Sequence, residues 1–277
     1  MRILFCGDVV GRSGREAVQR YVPLLRQRLN LDCVIVNGEN AASGFGITSS
    51  ICQDFYKIGV DVITTGNHIW DQREMMGSID KDKRLLRPIN YPATTPGQGY
   101  YLHTTAKGKT VLIINAMARL FMEPLENPFS AVDQILKKYR MPDHVHAIVL
   151  DFHGEATSEK MAMGHFCDGR VSLVVGTHTH VPTADHQIFP GGTAYQSDVG
   201  MCGDYRSVVG MDKDIPIYKF TRQLPPPERM KPAQGEATLC GILVVVKEES
   251  GLAEGLYPIR LGGSLEQTSL DILESYL

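Results

Sequence analysis

The sequence predicts an α/β protein, and three observations carry that expectation. Short apolar runs alternate with helical patterns as far as residue 180, which argues for βαβ units, a mainly parallel sheet and right-handed crossovers. These runs end in polar clusters of similar kind. Near the C-terminus, 238–246 and 256–261 read as antiparallel strands that close the sheet.

Taken in order, residues 3–6 form a strand ending in Gly7-Asp8, and Ser13 with Glu16 three positions on is a capping-box pattern that places a helix start at Ser13. Residues 33–36 run into Asn37-Gly38-Glu39-Asn40, and after a Gly-rich loop a helix beginning near Thr48-Ser49 stops at Gly59. A strand over 61–65 leads to Gly66-Asn67-His68. Periodicity then fails over 81–110, where Pro88, Pro92, Pro96, Gly97 and Gly99 predict a long surface excursion. The sheet resumes at 111–115, a helix covers 131–139, and a strand at 146–150 ends in Asp151-Phe152-His153. A helix at 158–166 and a strand at 171–175 bring the chain to Gly176-Thr177-His178-Thr179-His180. Past Pro182, Gly and Pro are common, and Gln223-Leu224-Pro225-Pro226-Pro227 reads as an irregular or polyproline segment. With no repeat and no apolar-poor linker, 1–277 reads as a single domain.

Composition removes several classes of function. The 28 Lys+Arg against 31 Asp+Glu give a formal charge of −3, with no electrostatic footprint for a long nucleic acid. No run approaches the roughly 18 apolar residues of a membrane span, and the N-terminus does not read as a signal peptide, so a cytoplasmic location is expected. Six cysteines (Cys6, Cys33, Cys52, Cys167, Cys202, Cys240) lie far apart without a CxxC pair, so they read as buried apolar residues rather than a disulfide frame or thiolate metal site.

The informative pattern lies at the strand ends. Five of them carry possible metal donors: Asp8; Glu39 with Asn40; Asn67 with His68; His153; and His178 with His180. Carboxyl ends of strands in an open α/β sheet face one crevice, so these residues should converge. Singly, each has an ordinary explanation as a turn, a cap or a hydrogen-bonded histidine; His103, His144, His165 and His186 stay unassigned on that ground. Jointly, they argue for a metal site. The two histidines at i and i+2 are expected to share one side of an extended segment. Carboxylate, amide and imidazole donors without thiolate suit Mn²⁺, Fe²⁺ or Zn²⁺, and they are too many for one tetrahedral ion. Two ions about 3.5–4 Å apart, sharing a carboxylate, would use them all.

In their order, these blocks resemble the calcineurin-like metallophosphoesterases. Within that superfamily, Gly7-Asp8-Val9-Val10-Gly11-Arg12, Asn37-Gly38-Glu39-Asn40-Ala41 and His153-Gly154-Glu155-Ala156-Thr157-Ser158-Glu159 are most similar to the bacterial branch of YmdB-type phosphodiesterases. The resemblance implies a four-layer α/β/β/α sandwich and a dinuclear centre, with Fe or Mn as the metals and Zn an alternative. Asp8 and His180 would hold the first ion, with Asn40 completing its shell; Asn67, His153 and His178 would hold the second, and Glu39 would bridge them. Three positions depart from the broad superfamily pattern. Val10 replaces a histidine, Glu39 replaces an aspartate, and Ile69 replaces an acidic residue, which leaves Asp71 to orient His68.

The implied reaction is hydrolysis of a small phosphodiester, a 2′,3′- or 3′,5′-cyclic nucleotide, by in-line attack of hydroxide generated between the two ions. Two such ions with two carboxylates make a pocket of about +2, which attracts phosphate. His68 is the expected catalytic imidazole, stabilising charge or protonating the departing alkoxide. Arg12 and Arg15 read as solvated helix charges, and Glu155, Ser158 and Lys160 as candidates for the pocket mouth. No GxGxxG, P-loop or deaminase PCxxC accompanies the relevant glycines and His153. The standing alternative is a metal- or nucleotide-binding regulatory protein with little or no turnover, for which Val10 is the main argument. Residues 183–232 are left as pocket rim or oligomer contact, so a homo-oligomer stays open.

Overall fold

The computed structural model describes residues 1–226 and 228–277; Pro227, part of the segment expected to be irregular, lies outside the described residues. The first half contains β1 (Arg2–Cys6), β2 (Asp8–Val9), α1 (Gly11–Arg28), β3 (Cys33–Asn37), α2 (Ser49–Lys57), β4 (Val62–Thr64) and α3 (Met75–Ser78). Next come β5 (Tyr100–Thr104), β6 (Thr110–Met117), α4 (Pro128–Lys138), β7 (Ala147–His153), α5 (Thr157–Phe166) and β8 (Leu173–Thr177). The remainder holds β9 (Gln187–Ile188), β10 (Ala194–Gln196), β11 (Met201–Cys202), α6 (Asp214–Arg222), β12 (Leu239–Val246), β13 (Ala253–Leu261) and α7 (Leu270–Ser275).

Two mixed sheets form, in the orders β13-β12-β1-β3-β4 and β5-β6-β7-β8-β10-β9. In the first, β1, β3 and β4 run parallel out to one edge while β12 and β13 add antiparallel on the other side; in the second, β6, β7, β8 and β10 run parallel between the antiparallel edge strands β5 and β9. The alternation of side chains along each strand then sorts the apolar residues into three cores. Ile3, Phe5, Ile35 and Val62 of one sheet meet Ile113, Val149, Leu173 and Val175 of the other. The opposite face of the first sheet, through Leu4, Val34 and Val36, packs on Val18, Val22 and Leu25 of α1 and Phe55 of α2. Leu112, Ile114, Ile148 and Leu150 cover the second sheet's outer face against Val132 and Ile135 of α4 and Met163 of α5. Helices, sheet, sheet and helices stack as the four-layer α/β/β/α sandwich that the resemblance implied.

Several local expectations need correction. Helix α1 starts at Gly11, and its N-cap is Val10 with no side-chain bond. The Val10 and Gly11 amides donate to Cys202 and Asn40 carbonyls at 2.9 Å, which fixes the helix start, and the Ser13 hydroxyl donates to the Ala233 carbonyl at 3.1 Å. Tertiary bonds outcompete the capping box. The excursion over 81–110 contains β5, which pairs antiparallel with β6 from Tyr100↔Ile114 to Thr104↔Thr110. Past Pro182 the chain also forms α6, with Pro216 near its first turn, where a missing N–H costs nothing. The two C-terminal strands pair antiparallel as expected. All six cysteines are free and buried. Among the described residues, no helix is long and apolar enough to cross a membrane.

Candidate metal centre

The carboxyl ends of β1, β3 and β4 meet those of β7 and β8 at one end of the sandwich, and the strand-end residues converge there. Their donor atoms form two sets, each within 4.8 Å: Glu39, His153 and His178, and Asp8, Glu39 and His180. Glu39 belongs to both. Its Oε2 lies 3.1 Å from His153 Nε2 and accepts the His68 amide at 3.3 Å. Asn67 Oδ1 adds a fourth donor to the first set, 3.0 Å from His153 Nε2. Gly66 is required at this point, because a Cβ would overlap His153 Nε2 and Glu39 Oε2.

These residues fit divalent cations, and the test is polar satisfaction. Asp8 Oδ1 and Asn40 Oδ1 are buried side-chain oxygens with no hydrogen-bond partner, a costly state that a cation relieves. His153 Nε2 faces three acceptor atoms, on Glu39, Asn67 and His178. A cation among these atoms would satisfy them together. The donor set is oxygen and imidazole nitrogen without thiolate, which suits Mn, Fe or Zn.

Electrostatics say the same. Burial works against ionisation of Glu39, yet His153, followed by His68 and His178, holds its carboxyl down to about 2. Burial likewise opposes a charged His153, but Glu39 pushes the imidazole up to about 9. That upward pull records a negative potential which either a proton or a metal cation can answer. Burial pushes Asp8 up, with His180 and His153 opposing. For His178, burial and the neighbouring His153 bring the imidazole down to about 3, leaving it neutral with a lone pair to donate.

A buried polar layer behind the donors was not legible in the sequence. Asp151 of β7 accepts from Asn37 Nδ2 at 3.0 Å, Thr64 Oγ1 at 2.5 Å and Thr177 Oγ1 at 2.7 Å, tying both sheets together beneath the site. Burial pushes its carboxyl up to about 7 against the influence of His153 and those hydroxyls. Thr177 Oγ1 spends its one proton on Asp151, so at 2.9 Å it accepts from His153 Nδ1–H. The free edge of His153 is therefore Nε2, as a ligand tautomer requires. Neither Asn37, which reads as part of a turn pair, nor Thr177, which has no role of its own in the sequence reading, points to this network.

The His178-Thr179-His180 segment departs from expectation. It is not extended: His178 has φ 100° and His180 φ 66°. Both imidazoles nonetheless reach the centre, each in its own donor set. This left-handed backbone costs about 1–3 kcal/mol per residue and persists because the surroundings over-determine it. Asp198 supplies that constraint, accepting from the Thr179 amide at 3.0 Å, the Thr179 hydroxyl at 2.8 Å and the Gly200 amide at 2.9 Å. Lys160 reaches Asp198 at 3.0 Å. Lys160 is thus buried behind the loop, not at the mouth.

Other positions fall as follows. His68 Nδ1 lies 2.8 Å from Asp71 Oδ2, so Asp71 orients it, while Ile69 is core. Glu155 Oε2 is 3.3 Å from His178 Nε2 at the exposed side, and Ser158 is exposed on α5. Arg12 pairs with Glu16 in solvent, and Arg15 donates to the Ala41 carbonyl. Val10 is buried against Gly203 and Gly210 and offers no donor. His103 faces Asp61, and His165 stacks on Phe189, both away from the centre.

A cavity of about 310 Å³ opens above the centre. Glu39, Asn40, His68, His178 and His180 line it together with Phe45 and, from the segment after His180, Val209, Met211, Pro216, Phe220 and Met230.

The YmdB-like protein family model matches residues 4–259. The chain belongs to this family. The 2′,3′-cyclic-nucleotide 2′-phosphodiesterase of Bacillus subtilis (strain 168) is 46% identical over 252 residues, covering 90% of this chain and 93% of that protein. Among solved structures, a hypothetical protein from Thermus thermophilus superposes with a TM-score of 0.87 at 38% identity, covering 95% of this YmdB-like chain and 100% of the other. A Mycoplasma pneumoniae protein described as a novel phosphatase gives a TM-score of 0.87 at 32% identity, covering 95% and 93%. The branch to which the strand-end motifs pointed is therefore the right one, and its relatives include phosphoester-cleaving enzymes.

Proposed function

We propose that this chain is a cytoplasmic phosphodiesterase of small phosphodiesters, with 2′,3′-cyclic nucleotides as its substrate class, and that it works with two divalent cations, Fe or Mn, Zn being accommodated by the same donors. The observation that carries the reading is the pair of donor sets that share Glu39, in one of which Asp8 Oδ1 is buried without a hydrogen-bond partner. The activity of the Bacillus subtilis relative favours the 2′,3′-cyclic over the 3′,5′-cyclic ring. Asp8, Asn40 and His180 would hold one cation, Asn67, His153 and His178 the other, and Glu39 both.

Bound cations would offset phosphate charge and acidify water. The chain does the rest. Thr177 and Asp151 keep His153 in its ligand tautomer, so the donor array is set before substrate arrives. His68, anchored through Nδ1 to Asp71, lines the cavity and takes the catalytic role: it hydrogen-bonds a phosphoryl oxygen or hands a proton to the departing alkoxide.

The test is turnover by the Mn²⁺- or Fe²⁺-loaded protein of 2′,3′-cyclic AMP, 3′,5′-cyclic AMP and bis-p-nitrophenyl phosphate. Hydrolysis of the first supports the reading. A second reading, a nucleotide-binding regulator, draws on Val10, a buried apolar residue two positions after Asp8 that offers the first cation no nitrogen donor. Tight nucleotide binding with none of the three substrates cleaved would select it.

A further inference from the structure

The cavity over the metal centre has two chemically opposite sides. Its floor is carboxylate, amide and imidazole; its far wall comes from the segment after His180, through Val209, Met211, Pro216, Phe220 and Met230. Part of that wall is open to solvent, with Phe220 75% exposed, Val209 49% and Met230 43%. Clustered exposed apolar side chains at a cleft mark a binding surface. The volume, about 310 Å³, suits one small ligand.

We propose that this wall is a nucleobase cradle, in which Phe220 stacks on the base while the cyclic phosphate sits over Glu39, His68 and the flanking histidines. The assignment rests on the phosphodiesterase reading and deepens it by naming what holds the non-reacting half of the substrate. A ligand that matches both sides must carry an anion at one end and a flat apolar face at the other, which describes a single nucleotide. Aromatic rings and methionine sulfur both favour flat π systems. Phe45, edge-on to His68 at 5.2 Å, borders the junction of the two sides, where the ribose would lie. Among the described residues of the wall, Lys219 alone has a hydrogen-bonding side chain. Stacking without hydrogen-bond readout tolerates any base. The four 2′,3′-cyclic nucleotides should therefore differ by less than about 10-fold in kcat/KM.

The experiment compares 2′,3′-cyclic AMP with glycerol 1,2-cyclic phosphate, which keeps the reacting ring and lacks the base, in the metal-loaded wild type and in Phe220→Ala and Phe220→Tyr. Phe220 is a surface residue of α6, so its truncation leaves the three cores intact. The expected result is a fall of roughly 5- to 150-fold in kcat/KM for the nucleotide in Phe220→Ala, mostly through KM, with recovery in Phe220→Tyr and no change for the base-free ring. Equal effects on both substrates, or none on either, would overturn the cradle while leaving the phosphodiesterase intact. So would equal slowing with a changed oligomeric state, which would assign the wall to a second copy of the chain. If the wild type cleaves neither compound, the phosphodiesterase reading falls, and equilibrium binding of AMP decides the cradle. Weaker binding by Phe220→Ala supports it, and equal binding ends it.

Discussion

His153 Nδ1 and the Thr177 hydroxyl lie 2.9 Å apart, both buried, and that hydroxyl donates its own hydrogen bond to Asp151 at 2.7 Å. The relay sets which edge of His153 faces Glu39. Thr177→Val should weaken metal binding by roughly 10- to 100-fold, the usual cost of losing the partner behind a ligand histidine. Thr177→Ser should restore it. Competition with a chromophoric chelator measures both, and wild-type affinity in Thr177→Val would show that the relay does not orient the ligand.

His68 and Asp71 form a second such pair, 2.8 Å apart, but on the cavity side. His68→Ala should lower kcat by roughly 10²- to 10⁴-fold while leaving metal content unchanged, and Asp71→Asn should cost less. Steady-state kinetics with metal analysis of the same samples checks this. Loss of metal from His68→Ala would move His68 out of the catalytic role.

The Lys160–Asp198 pair, 3.0 Å apart and buried, underpins the strained backbone at His178 and His180. Lys160→Met leaves Asp198 as an uncompensated buried charge, so stability should fall by roughly 3–5 kcal/mol. Urea unfolding of the metal-free protein reads it. A change under about 1 kcal/mol would mean that Asp198 is satisfied by its amide and hydroxyl donors alone.

Acid sensitivity has a source remote from the centre. Burial holds the His103 imidazole below its ordinary 6.5; Asp61 opposes this, and Arg26 and Arg84 reinforce it. A histidine whose folded value is depressed takes up its proton more readily when unfolded. Stability is therefore greatest above 6.5 and declines as pH falls through that value towards the folded one. His103→Gln should flatten the decline in urea midpoint between about pH 7.5 and about pH 5.5. An unchanged slope would place the sensitivity elsewhere.

What the sequence showed, and what it hid, follows from the range of the interactions. Asp8, Glu39, Asn67, His153, His178 and His180 were legible because a parallel strand delivers its C-terminal residue to a shared crevice, whatever else the fold does. Asp198 and Lys160 were not, since their roles depend on packing between segments 38 positions apart. The capping box at Ser13 failed for a related reason: a local pattern lost to bonds donated to the carbonyls of Cys202, Asn40 and Ala233. Strand β5 was missed because prolines and glycines in the preceding turns masked five residues that pair only with β6. The pairing of His178 with His180 was expected from a flat pleat, and left-handed backbone at both residues gave convergence by another route.

Glu39 is the one side chain common to both donor sets, so its removal should disable both together. Metal content after Mn²⁺ loading and extensive dialysis, measured by mass spectrometry on wild type, Glu39→Gln and His180→Ala, tests this most directly. About two ions per chain are expected in the wild type, about one in His180→Ala and almost none in Glu39→Gln. Two ions retained by Glu39→Gln, or fewer than one in the wild type, would contradict it.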